Sequence, residues 1–127
     1  MSSRAQSTLV LSCEHGGNRV PAPYRALFSA RDAQQALDSH RGYDIGALPL
    51  ARSLAVALNA PLTFSEVSRL LVDLNRSVGR PGLHSEFANG LNAATKEAVL
   101  GEYYYPHRAQ VRKHIAEALS AHSQVVH

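Results

Sequence analysis

Between Thr8 and Pro21 the chain reads Thr-Leu-Val-Leu-Ser-Cys-Glu-His-Gly-Gly-Asn-Arg-Val-Pro, and no other stretch constrains the fold as tightly. Its first half, Leu9 to Cys13, is a short apolar run with a β-branched member, the pattern of a strand buried on both faces. The glycine pair Gly16-Gly17 then lets the backbone turn sharply and approach a neighbour closely. Glu14 and His15 are thereby delivered to the carboxyl end of a strand, where open α/β sheets keep their ligands. His15 is the first candidate for chemistry.

Downstream, Val20 to Tyr24 is a rigid, proline-bearing loop, and Ser29 is placed to cap a polar helix from about Ala30 to Ser39. The segment His40-Arg-Gly-Tyr-Asp-Ile-Gly46 is a second meeting point of titratable residues and glycines. After it Ala47, Leu50, Ala51, Leu54, Ala55 and Leu58 recur at helical spacing and predict one apolar stripe. Pro49 fits only near that helix's first turn, so Asp44 falls at or just before its amino end. Leu62 to Phe64 predicts a second strand, and Leu70 to Leu74 a further strand or extended segment ending at Asn75-Arg76. Residues 77–82 and 83–92 read as loops, and Thr95 as the cap of a short helical stretch ending near Gly101. From Pro106, Val111, Ile115, Ala118 and Leu119 oppose Arg108, Arg112, Lys113 and Glu117 on an amphipathic helix. Gln-Val-Val-His127 then opens like a new strand.

Strand, helix, strand, helix and an interrupted strand predict an α/β fold, with a mostly parallel or mixed sheet flanked by helices. Residues 1–127 read as one domain, the amino-terminal portion of something larger. With 45% hydrophobic residues the chain can build a core. Thirteen Lys+Arg against ten Asp+Glu give only +3, and the arginines are dispersed, so no nucleic-acid footprint is indicated. One cysteine excludes an internal disulfide framework and suits a reducing compartment. No stretch reaches membrane-spanning length, and the amino terminus lacks the apolar run of a signal peptide. A cytoplasmic location is expected, and a free sheet edge leaves a homo-oligomer open.

Several candidates carry two readings. Asp44 is either a helix cap or a metal ligand beside His15, since zinc accepts imidazole nitrogen and carboxylate oxygen and a catalytic site needs three protein ligands plus an open position. His40 reads as a structural residue near that site. Cys13 is either a nucleophile paired with His15 or a small core residue. Arg69, Asp73, Asn75 and Arg76 form the densest polar set: either a fork for carboxylates, or a self-bridged loop in which Asp73 holds Arg69 or Arg76. Tyr103 to Tyr105 read as packing residues at a helix entrance.

Four blocks taken together, Ser12 to Pro21, His40 to Ala47, Ser68 to Arg76 and Tyr103 to Pro106, resemble the N-formylglutamate amidohydrolase family. The resemblance implies the hydrolase-like α/β fold of the zinc carboxypeptidases and aspartoacylases, and hydrolysis of the amide of a small-molecule N-acyl amino acid such as N-formylglutamate. It makes His15 a Zn2+ ligand and Asp44 the second, with Glu14 as the alternative second ligand and otherwise the catalytic carboxylate. Arg69, Asn75 and Arg76 become binders of the substrate's carboxylates. Two departures stand out. Where zinc carboxypeptidases carry a glutamate three residues after the first histidine, this chain has Asn18. The family's downstream histidine block and its base are not in the sequence, so the chain by itself is expected to bind metal weakly and to turn over little or nothing.

Overall fold

The computed structural model describes residues 7–127. Residues 1–6, which carry most of the terminus read above as lacking a signal peptide, lie outside them. The opening run forms two short strands, β1 (Ser7–Leu9) and β2 (Leu11–Cys13), joined through the buried Val10. On one side β2 pairs in parallel with β3 (Leu62–Phe64), Leu11 opposite Leu62 and Cys13 opposite Phe64. On the other, β1 pairs in parallel with β4 (Gln124–Val126), Leu9 opposite Val126. Parallel pairing demands long crossovers, and the intervening helices provide them. The α/β class and the parallel sheet are as the sequence pattern implied.

The first helical pieces are a 3-10 turn over Ala22–Phe28 and the helix α1 (Arg31–Leu37). Ser29 does not cap α1. Its hydroxyl donates back to the Ala26 carbonyl at 3.1 Å, closing the 3-10 turn, and Ala30 occupies the cap position. Helix α2 (Ala47–Leu58) contacts β2 and β3. Only part of its expected stripe is covered. Ala47, Ala51 and Ala55 are half-buried, while Leu50, Leu54 and Leu58 remain 60%, 39% and 49% exposed.

Leu70 to Leu74 is not a strand. Every residue of it is buried, but it winds through turns. Its polar groups are met by a facing loop instead of a sheet: Ser85 N–H donates to Leu70 C=O, and Asp73 N–H to Leu83 C=O at 2.8 Å. Around this run Tyr24, Phe28, Ala33 and Leu37 close from one side, and Val99, Leu100 and Tyr104 from the other. This is the main core, and it lies beside the sheet.

Helix α3 (Ala93–Val99) begins at Asn92, whose side-chain oxygen accepts the Thr95 N–H at 2.8 Å. Thr95 is thus the capped residue and Asn92 the cap, the usual partner three positions earlier. A π turn over Leu100–Tyr104 leads without a break into α4 (Tyr105–Ala121), with Pro106 in the first turn of α4 as expected. Proline has no N–H to give. The widened turn falls where that donor is missing.

Candidate functional site

His15 leaves β2 at its carboxyl end and is 9% exposed. Its backbone carbonyl accepts the Asp44 N–H at 2.9 Å, which fastens the turn before α2 to the strand exit. Gly16 makes the bend possible, since a Cβ there would stand 2.8 Å from the Ser65 carbonyl oxygen. Asp44 lies three residues ahead of α2 and does not cap it, because Gly46 takes that position. Its carboxylate is turned to the site: Oδ2 stands 3.3 Å from His15 Nδ1. The other imidazole nitrogen, Nε2, meets Asp73 Oδ1 at 2.7 Å in a buried contact.

Asp73 explains much of the electrostatics. The hydrogen bond from His15 to Asp73 raises the imidazole's pKa against the opposing effect of burial, and the negative charge of Asp73 adds to it. Asp73 itself is pushed up by burial but held lower overall by His15, by the Asn75 N–H at 3.0 Å and by Arg76. A neutral imidazole that gives its one N–H to Asp73 faces Asp44 lone pair to lone pair. The contact needs a positive charge nearby, and the Arg69 guanidinium, 3.3 Å from Nδ1 and 2.7 Å from Asp44 Oδ1, supplies one; a proton or a metal cation between Nδ1 and Oδ2 would do the same. Two ligands of a tetrahedral zinc bound at about 2.1 Å stand about 3.4 Å apart, close to the spacing found. A carboxylate behind the distal nitrogen is what fixes a ligating histidine's tautomer. The two donors suit a zinc ion, yet no group of three His, Cys, Asp or Glu that could hold a metal occurs among the described residues.

Arg69 encloses this pair. Its Nη2 donates to Asp44 Oδ1 at 2.7 Å and to the His40 carbonyl, its Nε to the Arg41 carbonyl at 3.1 Å, and its Nη1 lies 3.3 Å from His15 Nδ1. Four of the five guanidinium N–H groups are thus committed. His40 acts through its backbone, not its imidazole. Arg76 is freer: Nη1 donates to the Pro81 carbonyl at 2.9 Å, Nε stands 3.7 Å from Asp73 Oδ2, and half of its side chain is exposed. It lines a cavity of about 500 Å³ together with Arg41, Arg69 and Asp73. Asn75 lines other cavities, among them one of about 300 Å³ shared with Glu14, His15 and Asp44.

Glu14 is not drawn to His15. Its carboxylate meets His107 Nε2 at 2.7 Å, and although burial pulls its pKa upward, the bonds with His107 and Ser12 bring it below the ordinary value. Cys13 is buried, and burial first, then the charges of Glu14 and Asp44, push its thiol up. The nucleophilic thiolate is disfavoured there.

Comparison with known proteins adds the decisive observation: the N-formylglutamate amidohydrolase family model matches residues 7–127. The chain belongs to that family. A search of curated proteins returns no match. Among solved structures, gene product Atu2144 from Agrobacterium tumefaciens is similar over 92% of this chain, with a TM-score of 0.78 and 30% identity. The chain covers 48% of that protein, about half its length.

Two residues of this family member escaped the sequence reading as site residues. From the sequence Asp73 reads only as a partner for arginines, though a carboxylate inside an otherwise apolar, buried run is itself a signal, because such a charge needs a partner. His107 was not singled out. Its signal was fainter: the position after Pro106 on a helix whose opposite face is basic.

Proposed function

We propose that this chain is the amino-terminal portion of a longer hydrolase that cleaves the amide of an N-acyl amino acid such as N-formyl-L-glutamate. The observation that carries the reading is His15 held between Asp73 and Asp44, in a chain whose family is known. His15 Nδ1 and Asp44 Oδ2 would hold Zn2+, with a third ligand from outside the described residues. When bound, the ion supplies a Lewis acid and a water of pKa about 7. The chain's own residues do the rest. Asp73 keeps the proton of His15 on Nε2, and Arg69 orients Asp44. With Nδ1 given to the ion, Arg69 Nη1 would release its contact there and have both of its N–H groups for the substrate, while Arg76 offers the planar pair that grips a carboxylate. Asn75 lies on the His15 side and contacts the same substrate from there. Glu14 lines the same cavity as His15 and Asp44 and is the proton acceptor of this reading, its basicity reduced by the bond with His107.

Zinc titration into the 127-residue chain, followed calorimetrically, tests this. We expect weak binding of one equivalent, lost in His15→Ala, with formate release from N-formyl-L-glutamate at background. Zinc binding that survives His15→Ala would sink the reading. A second reading, a carboxylate-binding module without turnover, is favoured by the missing third donor among the described residues. It expects binding of N-formyl-L-glutamate that needs Arg76 and is indifferent to chelators.

A further inference from the structure

The loop after Arg76 carries two glycines in the left-handed region, Gly79 (φ +88°) and Gly82 (φ +84°). Their surroundings differ. At Gly79 an added Cβ would meet nothing within 4 Å. At Gly82 it would stand 3.0 Å from Arg76 Nη1, 3.2 Å from Cζ and 3.6 Å from Nε. Three atoms of one planar group at such similar distances mean that the Gly82 backbone lies against the guanidinium. The residue before it, Pro81, accepts from Nη1 at 2.9 Å. On the other side Asp73 Oδ2 lies 3.7 Å from Nε.

We propose that Gly82 is a positioning residue for Arg76: its bare backbone supports the guanidinium, so that the N–H groups not given to Pro81 serve the 500 Å³ cavity where the substrate's carboxylate binds. This rests on Arg76 being the carboxylate anchor. A methyl group at residue 82 would have to displace the guanidinium by a few tenths of an ångström, tilt its plane and stretch the Pro81 bond. A bidentate grip depends on that plane. A small misplacement of a positioning group can cost far more than its size suggests.

The test is calorimetric binding of N-formyl-L-glutamate to the 127-residue chain and its variants. Arg76→Ala should weaken binding at least twentyfold. Gly82→Ala should raise Kd about tenfold, while Gly79→Ala, which carries the same backbone strain without the contact, should stay within twofold. Gly82→Asn covers the case in which the alanine variant folds poorly, since asparagine tolerates positive φ while still placing a Cβ on the guanidinium. In an Arg76→Lys background, where no planar group rests on residue 82, the Gly82→Ala effect should shrink to within twofold. Equal Kd values for the Gly82 and Gly79 variants would overturn the positioning role and leave Arg76 as anchor. Absence of binding by the parent chain, or binding unchanged by Arg76→Ala, would overturn both.

Discussion

The two sides of this molecule are built to different standards of closure. Around Leu70 to Leu74, five consecutive residues are buried and ringed by apolar side chains from α1, α3 and the loops. Along α2 Leu50, Leu54, Val56 and Leu58 are exposed, Val56 to 84%, as is Ile45 just before it. His15 and Asp44 come from the open side, and Asp73, Arg69 and Arg76 from the closed one. The candidate site is therefore the seam where a rigid wall meets an uncovered one. Stability should reside on the closed side, while the open side tolerates change.

The sharpest way to break that contrast is Leu71→Ala. Leu71 is fully buried, and its truncation should cost about 2 to 5 kcal/mol, read from urea unfolding at constant m-value. A loss below about 1 kcal/mol would show that the closed side is not the stabilising one. Next comes Asp73→Asn in the metal-free chain, expected to cost about 1.5 to 3 kcal/mol, as for a hydrogen bond between charged partners. His15 has its pKa raised in the fold, so its contribution is complete below about 6.5, the unfolded value, and fades as pH rises through the folded one. Asp73 has its pKa lowered, so its contribution is complete above about 3.9 and fades as pH falls through the folded value. The difference between parent and variant should accordingly be largest between about pH 4 and 6.5. The imidazole titration, followed by NMR, should move to lower pH in the variant; an unmoved curve would remove Asp73 as its cause. The smallest effect belongs to Val56→Ser on α2, within about 0.5 kcal/mol, and a loss above about 1.5 kcal/mol would mean that this face is already covered in solution.

The same contrast governs what could be read in advance. The strand ending in Glu14-His15 and the helix after Asp44 announce themselves through local periodicity, glycines and a proline. Their meeting followed from packing one strand-helix unit beside the next. The closed side was harder to read. A buried run that is apolar but for one carboxylate does not say whether its backbone bonds to a strand or to a loop, and Leu70 to Leu74 took the loop. Nor does spacing reveal that a carboxylate 58 residues after His15 in the chain will reach its Nε2. The cap of α3 was missed by three residues because Asn92 and Thr95 are both competent, and only the backbone decides between them.

One element touches both sides. The helical run through α3, the π turn and α4 is unbroken, and from it Tyr104 donates its hydroxyl hydrogen to the Arg76 carbonyl at 2.7 Å, while three residues later His107 grips Glu14. The five-residue turn adds a residue to the local winding, roughly 100° of phase on a helix of 3.6 residues per turn, and so sets how both anchors are turned relative to α3, whose Val99 is packed in the core. Removing a residue from that turn would swing Tyr104 and His107 together off the Arg76 carbonyl and the Glu14 carboxylate while α3 stayed in place. The rod works as a camshaft whose timing is set by a single extra amino acid.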